Sequence, residues 1–328
     1  MCFEFRVSRR LANPCVAADH SEEPETRNSK LDLICRSPLT GLTVLMSTER
    51  NVGVIGLGII GSRVAENLRK KGFTVHVWNR TKKEEANFAK TPAELAKICR
   101  IIQIFVSNDA AVLETIEKLK PSLTAEHLLT IHSTISPETA KKVKDEVASS
   151  GARVVDAPFT GSKGAAGKGQ LVYYLAGDKA DLDRARPVLE ASSTATLLFD
   201  RFGDASVVKI ATNMISAAIV QALAEAWAVS ESSGVSPEKF RQAVELNACR
   251  SGVSDLKLKS IQARDFEANF SLRNMLKDER LALQLGEKNG IQLPATAAVK
   301  SVLEQGSEKG LAEKDYSVVA ELIGKSIQ

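Results

Sequence analysis

Three features of the 328-residue chain predict a doubly wound parallel α/β sheet followed by an all-α domain, the two joined by a long helix. The first is the stretch 51–81, NVGVIGLGIIGSRVAENLRKKGFTVHVWNRT. In it a β-branched apolar run, a glycine turn, a helical run and a second β-branched run follow one another. The second is the alternation of strand-like and helix-like runs up to residue 199, the pattern of a parallel sheet covered by helices. The third is a change of texture near Gly203, after which every periodic run is helical.

Taken in order, 52–55 is too short and too β-branched for a helix and reads as a buried strand. Residues 60–71 have helical periodicity and stop at Gly72, a residue suited to the left-handed position after a helix; 73–78 is the next strand. A third strand soon after is expected to be very short or absent, and Pro92 opens a helix to about Ile98. A strand over 101–106, a helix over 109–119 and a strand over 128–132 follow. Ser136 caps the next helix, with Pro137 in its first position. Strands are expected at 152–157, 171–176 and 195–199, with a helix over 181–189 and some antiparallel pairing at this late edge. The long helix covers 205–233, and further helices are expected at 238–246, 254–263, 272–288, 296–308 and 316–325.

Placed after a strand and before a helix, Gly56-Leu57-Gly58-Ile59-Ile60-Gly61 is the turn of a Rossmann-type dinucleotide site. Gly56 allows the tight turn, Gly58 lets a pyrophosphate approach bare backbone, and Gly61 lets helix pack on strand. The helix N-terminus supplies partial positive charge. At the end of the second strand, where an NAD site carries a carboxylate for the ribose diol, this chain has Asn79-Arg80-Thr81 followed by Lys82-Lys83. A missing carboxylate and an arginine able to grip a 2′-phosphate favour NADP(H) over NAD. The bland alternative is a solvated basic loop.

A chain of this length can bury two cores, and 44% hydrophobic with 26% charged residues is ordinary for a globular protein. A net charge of +4 is too small to argue for nucleic acid or a membrane surface as partner. The apolar run 215–229 is interrupted by Gln221 and Glu225, which argues against a membrane span. Five cysteines without paired or metal-ligand spacing fit a reducing, cytoplasmic compartment, and no metal site is expected. Residues 1–45 lack sustained periodicity and hold the acidic cluster Glu22-Glu23-Pro24-Glu25, unlike an organellar transit peptide. They read as a disordered extension before Met46, with a targeting segment as the alternative. The expected division is therefore 1–45, a dinucleotide-binding domain over 46–202, and a helical substrate and dimerisation domain over 203–328.

Four motifs stand in a telling order: Gly56–Gly61; Asp156-Ala157-Pro158-Phe159-Thr160-Gly161-Ser162-Lys163; Lys209-Ile210-Ala211-Thr212-Asn213; and Lys277-Asp278. The chain from 51 to about 325 thereby resembles the β-hydroxyacid dehydrogenases, the family of 3-hydroxyisobutyrate dehydrogenase and of the glyoxylate and succinic semialdehyde reductases. Asn79-Arg80-Thr81 and Thr-Gly-Ser-Lys look more like the reductase branch. Residues 158–169 are rich in Gly and Ala, so backbone N–H groups and the Thr160 hydroxyl suit a carboxylate. The resemblance gives Thr160 and Gly161 that role and leaves the role of Ser162, where the family has a second glycine, open. Lys209 and Asn213 lie one helical turn apart on one face. The resemblance makes Lys209 the proton donor and Asn213 a substrate anchor, although Ala205 replaces the glycine of the family pattern. Ser133-Thr134 resembles the pair beside the nicotinamide, and Lys277 resembles a residue closing over cofactor or substrate. His132 stands where relatives carry Asp; it invites a catalytic reading, which a satisfied structural histidine explains as well.

These readings converge on an NADPH-dependent reductase of a small carboxylate-bearing aldehyde or keto acid, acting as a homodimer or homotetramer. Oxidation of a 3-hydroxy acid is the same-fold alternative, and imine reduction fits less well because such relatives tend to lack this lysine. A non-catalytic dinucleotide-sensing or partner-binding module is the alternative of another class; intact Lys209 and Asn213 argue against it.

Overall fold

The computed structural model describes residues 50–323. The extension expected over 1–45 and the end of the helix expected over 316–325 lie outside them. The sheet begins with β1 (Asn51–Ile55), the glycine turn, α1 (Gly61–Lys70) and β2 (Thr74–Trp78). No third strand follows directly; Phe88 makes only an isolated bridge to Val77. Next come α2 (Pro92–Ile98), β3 (Ile101–Ile104), α3 (Asp109–Leu119), β4 (Leu128–Ile131), α4 (Pro137–Ala148) and β5 (Arg153–Asp156). Local chemistry sets these helix starts. Thr91, Asn108 and Ser136 each accept a backbone N–H of the first turn through a side-chain oxygen, and prolines occupy first helical positions.

The order β2-β1-β3-β4-β5 is parallel throughout, with Val52, Val54 and their neighbours in register with Val75, Val77, Ile101 and Gln103. Beyond β5 the direction reverses: β7 (Leu171–Ala176) runs antiparallel to β5, and β8 (Ser193–Phe199) lies parallel to β7, with α6 (Lys179–Glu190) between them. The antiparallel late edge is therefore present. The Gly/Ala-rich segment read as a loop contains two short elements, β6 (Phe159–Thr160), paired with β7, and α5 (Lys163–Gly167). Its sequence is too short and too small-residued to announce either; β7 as a template and Ser162 as N-cap impose them. Apolar clusters cover both sheet faces, one around Val54, Leu68 and Tyr173, the other around Ile102, Ile116 and Val143.

Helix α7 (Asp204–Ser232) leads from the sheet into α8 (Pro237–Leu246), α9 (Gly252–Ala263), α10 (Leu272–Lys288) and α11 (Pro294–Glu308). Among the described residues α7 is the one helix long and apolar enough, by length and composition, to cross a membrane. Gln221 and Glu225 do not by themselves take the helix outside that length and composition, which the core helix of a globular protein also meets. Part of its apolarity is used here in packing: Ala217, Val220, Ala224 and Trp227 form a core with Leu258, Leu276 and Leu303. The last helix expected is also corrected, to a 3₁₀ turn over Tyr316–Glu321. The Asp315 carboxylate accepts the backbone N–H of Ser317, and Val318 N donates to the Asp315 carbonyl, so the chain closes tight i→i+3 turns.

Candidate active site

In the sheet, β1 lies between β2 and β3, so the strand order reverses there and a crevice opens past the strand C-termini. The glycine turn crosses this crevice. Gly56 has φ +94°, and a Cβ on it would stand 2.0 Å from the Phe105 carbonyl oxygen; one on Gly61 would stand 1.9 Å from the Gly56 oxygen. Both glycines are needed for packing. Gly58 is different: a Cβ there would meet nothing within 4 Å. The turn thus presents open, side-chain-free backbone at the N-terminal end of α1, which fits a dinucleotide pyrophosphate.

The Asn79 side chain joins the turn to the loop after β2, accepting from Leu57 N (3.0 Å) and donating to Thr81 O (2.7 Å). Lys83 Nζ donates to Leu57 O at 2.5 Å, so this lysine tethers the glycine turn and is no free loop cation. Arg80 is exposed beside it.

A cleft of about 460 Å³ separates the strand ends from the helical part. On its sheet side lie Gly58, Ile59, Ile60 and Gly61, then Ser133 and Thr134, then Thr160, Gly161 and Ser162. Opposite stand Lys209, Asn213 and Lys277. The sequence-predicted residues outside this cleft are Gly56, buried behind the turn, and Asn79, Arg80 and Thr81, which follow β2.

Lys209 is placed by the first turns of α7. Ser206, three residues earlier, donates both N–H and Oγ–H to the buried Asp156 carboxylate at the end of β5, at 3.0 and 2.8 Å. That joint fixes the helix start against the sheet. Lys209 is buried, its Nζ donates to Asn213 Oδ1 at 2.9 Å, and it lies 5.9 Å from the centre of the Phe159 ring. Asn213 Nδ2 in turn donates to Asp278 Oδ2 at 2.5 Å. Burial pushes Lys209 down to about 8, against the pull of the Asp278 carboxylate, with Lys277 adding to the fall. Asn213 is neutral as expected, but a carboxylate stands one bond behind it.

Lys277 is not an exposed helix lysine. Its Nζ donates to the Thr134 carbonyl at 2.5 Å and ion-pairs with Asp278 Oδ1 at 2.6 Å, crossing from α10 to the end of β4. The Ser133 hydroxyl accepts from Val106 N at 3.0 Å, and the Ser162 hydroxyl caps α5 by accepting from Ala165 N at 3.3 Å. His132 is buried and stacked on Phe105. Its Nδ1 lies 2.7 Å from the Ala157 carbonyl, which can only accept, so Nδ1 carries the proton and Nε2 accepts from Thr130 Oγ1 at 2.9 Å. Burial pushes it down to about 3, so it is neutral and fully bonded, a structural histidine.

Sequence reasoning left Asp278 without a role of its own and passed over Phe270, Tyr316 and Lys257, which also line the cleft. Lys277-Asp278 was visible as a motif. The other three carry no local signal, because only the packing of α9, α10 and the 3₁₀ turn brings them together.

Residues 51–202 match the family model for the NAD binding domain of 6-phosphogluconate dehydrogenase. Residues 203–323 match that for the NAD-binding of NADP-dependent 3-hydroxyisobutyrate dehydrogenase. Glyoxylate/succinic semialdehyde reductase 1 of Arabidopsis thaliana is 31% identical over 283 residues, 83% of this chain and 98% of that protein. Cytokine-like nuclear factor N-PAC of Mus musculus is 27% identical over 303 residues, 90% of this chain but only 55% of its own length. Among solved structures, 3-hydroxyisobutyrate dehydrogenase of Mycobacterium tuberculosis with L-serine superposes with a TM-score of 0.75 at 22% identity, covering 83% of this chain and 98% of that one. At that identity the likeness speaks for the fold alone.

Proposed function

The chain belongs to the β-hydroxyacid dehydrogenase family of NAD(P)-dependent oxidoreductases acting on hydroxyl and carbonyl groups, and from that premise we propose an NADPH-dependent reductase of small carboxylate-bearing aldehydes or keto acids, of the glyoxylate or succinic semialdehyde type. The observation that carries this reading is Lys209, buried beneath the cleft, held by Asn213 and brought down to about 8. A lysine at its ordinary value is a sluggish proton donor at neutral pH; one near 8 still holds its proton there and releases it readily.

In this reading the nicotinamide, when bound, supplies the hydride to the carbonyl carbon. The residues of the chain do the rest. Gly58, Ile59, Ile60 and the start of α1 take the pyrophosphate, while Asn79, Arg80 and Thr81 take the adenosine end, with Arg80 reading a 2′-phosphate. Ser133, Thr134 and Lys277 border the nicotinamide. Thr160, Gly161 and Ser162 hold the substrate carboxylate through backbone N–H groups and the Thr160 hydroxyl. Lys209 Nζ gives its proton to the carbonyl oxygen as negative charge develops there, and Asn213 fixes both partners. The division into a dinucleotide domain over 46–202 and a helical domain over 203–328, a homodimeric or homotetrameric state and a cytoplasmic location complete the proposal.

Proton delivery in the transition state is worth about 10²–10⁴ in rate. Lys209→Ala should therefore lower kcat at least about a hundredfold, with NADPH affinity within a few-fold of wild type. The check is single-turnover oxidation of bound NADPH by saturating glyoxylate or succinic semialdehyde. An alanine variant that turns over at near wild-type rate sinks the assignment.

A further inference from the structure

The helical wall of the cleft is held by a buried ion pair for which the function just described has no use. Lys257 of α9 is 3% exposed and Asp315, before the 3₁₀ turn, 1%. Lys257 Nζ lies 2.7 and 2.8 Å from the two carboxylate oxygens. Oδ2 also accepts the backbone N–H groups of Asn269 (3.1 Å) and Phe270 (3.2 Å). Oδ1 also accepts Ser317 N (3.1 Å) and Oγ (2.7 Å). Each oxygen thus takes three donors. One carboxylate ties together α9, the segment leading into α10, and the terminal 3₁₀ turn.

Two aromatic rings are set by this hub. Phe270 follows directly from an N–H that Asp315 holds, and Tyr316 lies under the Lys257 ammonium, 4.5 Å from Nζ to ring centre. The rings meet edge-on with centroids 6.1 Å apart. With Val253, Leu256 and Met275 they supply an apolar part of the cleft lining, beside the polar Asn269, Ser271 and Asn274; the Thr160–Ser162 segment lines the same cleft. In the proposed reading a two-carbon substrate, whose carboxylate adjoins its carbonyl, needs only Lys209, Asn213 and that segment. A substrate with methylene groups between the two functions needs an apolar surface for the spacer as well.

Resting on the reductase reading, we propose that the Lys257–Asp315 pair is a positioning device that sets the apolar wall for substrates with a methylene spacer, so that it governs selection between two- and four-carbon carbonyl acids. A buried ion pair is a poor source of net stability because desolvation offsets its attraction; here the six hydrogen bonds to the Asp315 carboxylate come from three segments and fit together in this arrangement. Lys257→Met takes one of the three donors from each oxygen and leaves the Asp315 carboxylate buried without its cation, still held by Asn269, Phe270 and Ser317.

The test is steady-state kinetics of the full chain with glyoxylate and with succinic semialdehyde, for wild type, Lys257→Met and the double variant Lys257→Met/Asp315→Asn. The double variant removes both charges together and keeps a folded comparison if the single change fails to fold. The expected result is a KM for succinic semialdehyde that rises at least tenfold more than that for glyoxylate, with kcat for each within a few-fold. Parallel rises in both KM values, or an unchanged ratio in a variant with a cooperative melt, overturn the inference and leave the reductase reading standing. Wild-type protein that reduces neither compound overturns the reductase reading itself, and this inference with it.

Discussion

The residue that most rewards measurement is Lys209, because its neighbours pull it in opposite directions. Burial lowers its pKa to about 8, the Asp278 carboxylate raises it, and the Lys277 ammonium lowers it. In the proposed reduction the amine must be protonated, so kcat should be level below that value and fall as pH rises through about 8. The oxidative direction needs the free amine and should rise through the same range. Asp278→Asn removes the raising charge and should move the alkaline limb to lower pH; Lys277→Gln should move it to higher pH. Limbs that move together, or stay fixed, would show that the profile belongs to another group. Arg80 offers a second test at this scale. Losing a charge-assisted contact to a 2′-phosphate costs about 1.5–3 kcal/mol, or roughly ten- to a hundredfold in affinity. Arg80→Ala should weaken NADPH binding by that factor in a fluorescence titration and leave NADH nearly unchanged. Equal losses for both would make Arg80 a loop-positioning residue.

At the scale of elements, the glycine turn should separate folding from binding within six residues. Gly56 combines φ +94° with a backbone oxygen 2.0 Å from any added Cβ, whereas Gly58 faces open space. Gly56→Ala should cost on the order of 3 kcal/mol through strain and overlap, lowering Tm by roughly 5–10 °C. Gly58→Ala should melt close to wild type and yet bind NADPH at least several-fold more weakly. Calorimetry with and without cofactor distinguishes the two; equal melting points for both variants would contradict this division of labour. Most elements are legible in the chain itself. Pro92, Ser136-Pro137 and the αL glycine Gly72 are local signals, written within a few residues of the helix ends that they set. The short β6 and the final 3₁₀ turn are not legible because their determinants are distant: β7 templates β6, and Asp315 is committed to partners from 46 and 58 residues away; α5, capped locally by Ser162, is too short to show a period.

For the whole molecule, α7 is the spine. It carries Lys209 and Asn213 at the cleft, anchors to β5 through Ser206, and supplies one side of the helical core. Among the described residues its outer face is left open: Ile215 is 61% exposed and Val229 66%. Exposed apolar positions on a central helix favour self-association, so sedimentation at micromolar concentration should find a dimer or larger assembly. Replacing Ile215 and Val229 together by Glu should shift it toward monomer. A wild-type protein that sediments as a monomer over that range would remove dimerisation from the proposal.

The sequence by itself determined the βαβ unit and the packing roles of Gly56 and Gly61, the alternation that makes the sheet, the switch to helices near Gly203, and the identity of Lys209 and Asn213 as a one-turn pair. Each is legible because period, cap and turn chemistry act between residues close in the chain. Tertiary structure alone decided that Lys209 is buried, that Asp278 stands behind Asn213 across 65 residues, and that Lys277 reaches Thr134 across 143. It also decided that His132 is neutral and that Lys257 and Asp315 meet beneath the cleft. Charge state and partner choice depend on desolvation and on packing between α7, α9, α10 and the sheet. Those quantities exist only once the chain has folded.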